Sequence, residues 1–173
     1  MKNLLIVVDF QNDFVDGTLG FKEAKDLDAI IANKISAYRE ANDDVVFTFD
    51  THSNDYLETL EGKYLPVAHC IKDTDGWELY GKTGSMKMPN DKLFVKETFP
   101  SLELANWLRD KEYKQVELVG LVSNICVLSN AIMVKSALPN TEIIVDKKST
   151  ASFDKDLNNK TMDILRGLHV RVI

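Results

Sequence analysis

Short apolar runs alternate along the chain with segments whose apolar residues recur at helical spacing. The run Leu4–Val8 is fully apolar and rich in β-branched residues, which predicts a strand covered on both faces. Segment 27–41 instead repeats its apolar residues every three or four positions, which predicts an amphipathic helix. The same patterns predict further strands at 44–50, 93–95, 115–119, 142–145 and 170–172, and further helices at 102–111, 124–138 and 155–168.

This alternation predicts the fold class. Strands that alternate with helices form parallel sheets joined by right-handed crossovers. We therefore expect a three-layer α/β/α fold with a mostly parallel, roughly six-stranded, Rossmann-like sheet. Residues 51–92 show little periodicity and many turn-forming residues, so we expect loops with short helices there. The length of 173 residues, without repeats or a linker, predicts a single domain over 1–173.

Charge and composition exclude several classes of function. The formal net charge is −6 and no basic run is present, which disfavours nucleic-acid binding. The first apolar run is shorter than the roughly 7–15 residues of a signal-peptide core, and none approaches the ~20 residues of a membrane span. Cys70 and Cys126 lie far apart without metal-type spacing. We therefore expect no disulfide framework, no membrane association and a cytoplasmic location.

Chemically useful residues follow four of the predicted strands. Asp9 follows the first strand, Asp50 ends the second, Lys96 follows the third, and Cys126 follows the fourth where a helix is predicted to open. The carboxyl ends of parallel strands meet at one edge, where active sites of such sheets lie. A helix N-terminus and a nearby lysine both stabilise a thiolate, which favours Cys126 as a nucleophile. The alternative is an ordinary buried thiol, since free cysteine is among the most buried residue types.

A second set of residues has the character of metal ligands. Asp50 and His52 are two positions apart on a strand and point to the same side, so they are placed to share one ion. Glu61 and His69 follow in the long loop section. Histidine and carboxylate ligands suit Zn²⁺, with Mn²⁺ or Fe²⁺ as alternatives. The third histidine, His169, falls in the last helix-to-strand turn and is interpreted as structural.

These residues occur in segments that resemble a known family over nearly the whole chain. The sequence resembles the isochorismatase-like cysteine hydrolases, and within them the nicotinamidase/pyrazinamidase branch. The most specific segment places a glycine, a small polar residue and Cys-Val at family spacing. The matching segments are LLIVVDFQNDF (Leu4–Phe14), FTFDTH (Phe47–His52), PVAHC (Pro66–Cys70), VKETF (Val95–Phe99) and GLVSNICVLSNA (Gly120–Ala131).

The resemblance implies a catalytic triad of Asp9, Lys96 and Cys126. It further implies a cis, non-proline peptide just before the nucleophile turn, which we expect between Val122 and Ser123. In this family that bond directs the N–H groups equivalent to those of Val122 and Cys126 into an oxyanion hole.

The resemblance also implies a metal ion and a substrate pocket. The metal ligands it implies are Asp50, His52 and His69, with Glu61 as the additional ligand that some nicotinamidases have. Phe14 matches a pocket aromatic and is equally interpretable as a core residue. Leu65 stands where family members often carry an aromatic ring, and Tyr64 is positioned to supply one instead. Asn124 stands where many members have aspartate, so the sequence departs from the pattern near the nucleophile.

The implied activity is a metal-containing cysteine amidase that hydrolyses a linear amide C–N bond. The leading hypothesis is nicotinamidase activity in NAD salvage, with a small-molecule amide as the binding partner. The first alternative is an amidase acting on another small amide or an N-carbamoyl (ureido) acid. The second is a non-catalytic binding protein on the same fold. Isochorismate hydrolysis is less favoured, because that branch does not need the cysteine. Family members are often dimers or larger, so a homo-oligomer is compatible with the resemblance.

Overall fold

A computed structural model describes all of residues 1–173. Six strands form one sheet in the order β3-β2-β1-β4-β5-β6, and every neighbouring pair is parallel. The predicted parallel α/β architecture is therefore confirmed. The strands are β1 (Leu4–Val8), β2 (Asp44–Asp50), β3 (Lys92–Lys96), β4 (Gln115–Leu121), β5 (Glu142–Ala151) and β6 (Arg171–Val172).

Helices cover both faces of the sheet and create two apolar cores. Alternate residues of β1 point to opposite faces: Leu4, Ile6 and Val8 enter one core, and Leu5 and Val7 enter the other. The first core is closed by α6, α7 and α8, and the second by α1, α2 and α3. The helices are α1 (Asn12–Val15), α2 (Lys22–Lys25), α3 (Asp28–Glu40), α4 (Leu60–Tyr64), α5 (Gly81–Ser85), α6 (Leu102–Leu108), α7 (Leu128–Ala137) and α8 (Lys155–Gly167).

The section between β2 and β3 contains only short helices, as predicted. Besides α4 and α5 it holds two single 3₁₀ turns, at Tyr56–Glu58 and Asp75–Trp77. These pieces stack over the carboxyl edge of the sheet, where β2 and β3 end. No helix of the structure combines the length and the apolar composition that crossing a membrane requires.

The sheet departs from the predicted bounds around β4 and β5. β4 continues two residues beyond the predicted end, to Leu121, and β5 continues to Ala151 because Gly120 and Leu121 pair with Thr150 and Ala151 after a register shift. The predicted helix 124–138 is divided, with one wide π-helical turn at Ser123–Val127 before α7 begins. Tertiary pairing thus overrides the local pattern next to Cys126.

Gly120 explains how β4 comes so close to β1 at this edge. Its φ is +109°, a conformation that side chains with a Cβ rarely adopt. A Cβ at this position would lie 2.0 Å from the carbonyl oxygen of Val8. Only glycine therefore permits this approach, which brings the residues after β1 and β4 together.

Candidate active site and metal cluster

The three predicted triad residues meet at the carboxyl edge of the sheet. Asp9 directly follows β1, Lys96 ends β3, and Cys126 lies in the wide turn after β4. Lys96 Nζ is 2.6 Å from Asp9 Oδ2 and 3.9 Å from Cys126 Sγ. None of the three is more than 5% exposed. The structure therefore brings the three together in a site largely closed to water.

Asp9 is held in a fixed orientation by its backbone and by β2. Its φ of 44° lies in the left-handed region, which is unusual for a residue other than glycine. Its N–H donates to the carbonyl of Thr48 at 3.2 Å, and the Thr48 hydroxyl donates to Asp9 Oδ1 at 2.6 Å. Asp9 Oδ2 forms a close ion pair with the Lys96 ammonium. Asp9 is therefore fixed by Thr48 on one oxygen and by Lys96 on the other.

Burial controls the protonation of this group. Burial raises the pKa of the Cys126 thiol well above its ordinary value, and the attraction of Lys96 only partly opposes this. Burial likewise raises the pKa of Asp9 against the opposing effect of Lys96. Burial alone would lower the pKa of Lys96, but Asp9, Cys126 and Asp50 raise it instead. The resting state is therefore a neutral thiol beside a carboxylate of increased basicity and a firmly charged lysine.

Cys126 lies in the first turn of a helical segment, as predicted. The π-helical turn Ser123–Val127 contains Cys126 and runs directly into α7 at Leu128. Lys96 is the nearby cation, and its attraction partly opposes the effect of burial on the pKa of the thiol.

The four predicted metal ligands also converge. Asp50 Oδ2 lies 3.1 Å from His52 Nε2 and 3.3 Å from His69 Nε2, and Glu61 Oε1 lies 3.7 and 3.8 Å from the same two nitrogens. One ligand atom from each residue falls within a 4.8 Å spread. His169 lies outside this group, in the turn between α8 and β6 at a φ of 60°.

The four residues fit a divalent cation. His69 Nδ1 lies 2.8 Å from the carbonyl of Val67, which orients the ring and leaves Nε2 directed at the cluster. Burial alone would raise the pKa of Asp50, but Lys96 and the two histidines hold it below its usual range. Two imidazoles and two carboxylates are the donor set that Zn²⁺, Mn²⁺ and Fe²⁺ accept. These residues thus form a candidate metal site.

Asp50 connects the metal cluster to the triad. Its Oδ1 lies 3.2 Å from Lys96 Nζ, while its Oδ2 faces the two histidines. Gln11 fixes the backbone of Asp50 from both sides, since its Oε1 accepts from Asp50 N at 2.9 Å and its Nε2 donates to Asp50 O at 2.8 Å. One buried carboxylate therefore places the two sites in contact.

Three supporting residues were not predicted. Besides Gln11, these are Thr48, which orients Asp9, and Tyr56, whose ring centroid lies 4.6 Å from that of His52 and 4.9 Å from that of His69. Gln11 stands among polar residues in the sequence, and its burial is evident only in the structure. The role of Tyr56 depends on how the loop folds over the sheet, which the sequence pattern does not show.

An open cleft of about 780 Å³ adjoins the metal cluster. His52 and Glu61 are among the residues that line it, whereas none of the three triad residues does. Of the predicted pocket residues only Tyr64 lines it. Leu65 does not, and its carbonyl accepts from the Tyr56 hydroxyl; Phe14 is buried, with its ring centroid 5.5 Å from that of His69. The lining residues are Thr51, His52, Ser53, Asp55, Thr59, Leu60, Glu61, Tyr64, Lys72, Glu97, Thr98 and Phe99.

The expected position of the cis peptide was wrong by one residue. The non-proline cis bond lies between Leu121 and Val122, and not between Val122 and Ser123. The reason is the extension of β4: the strand continues to Leu121 through its pairing with β5, so the chain turns immediately after that residue.

Comparisons with known proteins agree with this architecture. The isochorismatase domain model matches residues 3–173. An uncharacterized isochorismatase family protein, PncA, of Bacillus subtilis is 29% identical over 167 residues, covering 90% of each chain. The crystal structure of nicotinamidase/pyrazinamidase PncA from Bacillus subtilis is similar, with a TM-score of 0.87, 25% identity and 99% of both chains covered. That of N-carbamoylsarcosine amidase from Thermoplasma acidophilum gives a TM-score of 0.81 at 25% identity, covering 99% of this chain and 95% of that one. The chain therefore belongs to the isochorismatase family.

Proposed function

We propose that the protein is a metal-containing cysteine amidohydrolase that converts nicotinamide and water to nicotinate and ammonia. The observation that carries the proposal is the single carboxylate of Asp50, which joins a cysteine–lysine–aspartate group to a set of metal-type ligands. Such a combination provides both a nucleophile and an anchor for a ring. The named relative PncA supports this choice of substrate.

Asp9 starts the reaction as the general base. It accepts the thiol proton of Cys126 on its carboxylate, which lies buried beside Lys96. Lys96, close to both groups, stabilises the thiolate as it forms. The raised pKa of Asp9 brings its basicity closer to that of the thiol, which makes this proton transfer less unfavourable.

The thiolate then attacks the amide carbon. A sulfur–carbon bond forms and the carbonyl oxygen becomes an oxyanion. When the carbon–nitrogen bond breaks, protonated Asp9 returns its proton to the leaving nitrogen, so ammonia departs and a thioester remains. Water, deprotonated by Asp9, hydrolyses the thioester to the carboxylate product and restores the Cys126 thiol.

The N–H groups of Val122 and Cys126 are the proposed oxyanion donors. Val122 lies outside every helix and strand, and its N–H donates to no backbone carbonyl. A free N–H next to a buried nucleophile is suited to a charge that exists only during the reaction. Loss of one such donor costs roughly 3–4 kcal/mol in transition-state stabilisation in other enzymes.

In this proposal the metal cluster binds the ring of the substrate, and the triad carries out the acyl transfer. Asp50, His52 and His69 would hold the ion, with Glu61 as the additional ligand. A bound divalent cation would supply a Lewis-acidic anchor for the pyridine nitrogen of nicotinamide and would not activate the nucleophile. The residues themselves also matter, because Asp50 Oδ1 lies 3.2 Å from Lys96 Nζ.

The test is ammonia release from nicotinamide by the purified protein after loading with Zn²⁺. We expect turnover by the wild type and a loss of at least about 10³-fold in Cys126→Ala, because the nucleophile is removed. Cys70→Ala is the matched control, since Cys70 is the only other cysteine and the reaction does not use it. No ammonia from the wild type, or equal activity in Cys126→Ala, would refute the proposal.

A second candidate function is hydrolysis of an N-carbamoyl acid. The structural similarity to N-carbamoylsarcosine amidase favours it, because the same triad chemistry serves a ureido group. The two candidates differ in their need for the metal ligands. Activity on a ureido acid that survives His52→Ala in metal-free protein would favour the second candidate.

A further inference from the structure

A side-chain hydrogen bond ties the nucleophile turn to a distant helix. Ser123, the first residue of the turn, is fully buried, and its hydroxyl donates to Asn158 Oδ1 at 2.6 Å. Asn158 is the fourth residue of α8 and is separated from Ser123 by 35 positions in the chain.

The Asn158 end of this bond is rigid. The Asp154 side chain caps α8 by accepting from the N–H groups of Asp156 and Leu157, each at 2.9 Å. The N–H of Asn158 donates to the carbonyl of Asp154 at 2.9 Å, within the first turn. Met162 and Leu165 of α8 are packed in the core. The helix therefore keeps its position without help from Ser123.

The Ser123 end is held by the backbone of the turn and by the bond to Asn158. The N–H groups of Ile125 and Val127 return to the carbonyl of Val122, at 3.2 and 3.1 Å, and the N–H of Leu128 returns to the carbonyl of Ser123. The other side of the turn has its own anchor, since Asn130 Nδ2 donates to the carbonyl of Cys126 at 2.8 Å. The bond to Asn158 is thus the side-chain anchor of the side that carries Val122.

We infer that Asn158 is a positioning residue for acyl transfer at Cys126. By holding Ser123, it keeps the neighbouring Val122 N–H directed at the place where the oxyanion forms, although it touches neither the substrate nor the sulfur. This inference rests on the proposed function for the role of Val122. It predicts that loss of the Asn158 acceptor slows attack on a carbonyl and spares other reactions of the thiol.

Two small probes separate these effects. Acylation of Cys126 by 4-nitrophenyl acetate forms a sulfur–carbon bond, passes through an oxyanion and releases 4-nitrophenolate. Alkylation by iodoacetamide also forms a sulfur–carbon bond but displaces iodide without an oxyanion. For Asn158→Ala we expect acylation to slow about tenfold, as a misplaced catalytic group implies, while alkylation stays within about twofold of wild type.

Matched variants complete the test. Asn158→Asp keeps an oxygen acceptor for the Ser123 hydroxyl and is expected to acylate at close to the wild-type rate. Asn159→Ala, at the adjacent exposed position, is expected to change neither rate. Ser123→Ala combined with Asn158→Ala should be no slower than either single variant, because both remove the same bond.

Three results would overturn the inference: equal slowing of both probes in Asn158→Ala, no slowing of either, or an Asn158→Asp variant as slow as Asn158→Ala. Equal slowing would indicate a general structural role. The outcome does not depend on nicotinamide turnover. A wild type that acylates at Cys126 but releases no ammonia from nicotinamide would refute the proposed substrate and still allow this inference to be judged.

Discussion

Two groups of polar side chains on the same sheet differ in how deeply they are buried and in which groups their charges contact. We call them the strand-end cluster and the sheet-face cluster. Their members are Asp9, Asp50, Lys96 and Cys126 for the first, and Lys34, Tyr38, Glu117 and Asp146 for the second.

The sheet-face cluster contains two carboxylates and one cation. Glu117 projects from β4 and receives Lys34 Nζ on Oε1 at 2.7 Å and the Tyr38 hydroxyl on Oε2 at 2.8 Å. Lys34 also contacts Asp146 Oδ2 at 3.0 Å. Burial alone would lower the pKa of Lys34, but its two carboxylate partners raise it. Both carboxylates share the one cation, and neither a thiol nor an imidazole lies among these four residues.

The strand-end cluster is more deeply buried and contains a reactive group. Lys96 contacts the carboxylates of Asp9 and Asp50 and lies 3.9 Å from the Cys126 sulfur. Asp50 further shares one oxygen between two histidines, an arrangement that suits an ion. Burial of charge therefore does not by itself mark a functional site, whereas a thiol and a set of metal-type ligands beside the buried charges do.

Replacing Lys96 should have the largest effect. Lys96→Met leaves Asp9 and Asp50 buried without their cation, and breaking such a pair costs about 3–5 kcal/mol of unfolding free energy. Ammonia release should also fall by at least about 10³-fold, since the thiolate loses its counter-charge. Urea unfolding and the ammonia assay measure the two effects. A stable, fully active variant would remove Lys96 from the proposed mechanism.

Asp9→Asn should separate catalysis from folding. Asparagine keeps the shape of the side chain and the oxygen that accepts from Thr48, but it has no proton-accepting carboxylate. We expect ammonia release to fall by about 10²–10⁴-fold, the usual contribution of a general base. Asp26→Asn, at an exposed position, is the control. Retention of more than a tenth of the activity would mean that another group accepts the thiol proton.

His69→Ala should sharpen the assignment of the metal cluster. It removes one of four converging ligands, so we expect bound Zn²⁺ after dialysis to fall at least about tenfold, as measured by elemental analysis. His169→Ala removes a histidine outside the cluster and should bind as much metal as the wild type. Equal metal content in both variants would argue against the cluster as the site.

Lys34→Met tests whether the sheet-face cluster contributes to stability and not to catalysis. It leaves Glu117 and Asp146 without their shared cation, so we expect the unfolding free energy to fall by about 1–3 kcal/mol. The turnover number should stay unchanged, because this cluster lies on the sheet face. A drop in turnover without a loss of stability would contradict the separation of the two clusters.

The smallest expected effect is the change with pH in the stability difference between wild type and Lys34→Met. The pKa of Lys34 is raised in the folded protein, so its stabilising contribution is fully present below the unfolded value of 10.5. It is lost only as the pH rises through the raised folded value. The difference in unfolding free energy between wild type and Lys34→Met should therefore be constant from pH 7 to 9 and shrink above 10.5. A difference that vanishes at neutral pH would contradict this pairing.

Most of the fold and the strand-end residues of the site were predictable, for a shared physical reason. Apolar periodicity identifies buried strands, and parallel strands deliver the residues at their ends to one edge. Thus Asp9, Asp50, Lys96 and Cys126 were predicted to meet, and they do. Glu117 was not recognised as the centre of a charge cluster, because its partners lie 79 and 83 positions away in the chain.

The bounds of the strand and the helix next to the nucleophile were predicted wrongly. The apolar pattern predicted β4 to end at residue 119 and a helix to begin at residue 124, but pairing with β5 extends the strand and moves the cis bond to Leu121–Val122. Leu65 was expected in the pocket, yet the folding of the loop directs only Tyr64 to the cleft. The domain count, the oligomeric state and the cytoplasmic location stay predictions.

The amino-acid sequence by itself determined which candidate residues would meet at the edge of the sheet, since periodicity and strand ends are local properties of the chain. It also determined the family, through motifs that contain those residues. Only the tertiary structure decided how they act together: that one carboxylate, Asp50, serves both clusters, and that Asn158 reaches Ser123. Such contacts arise from strand order and helix packing, which depend on the whole chain and are not encoded in the spacing of any single segment.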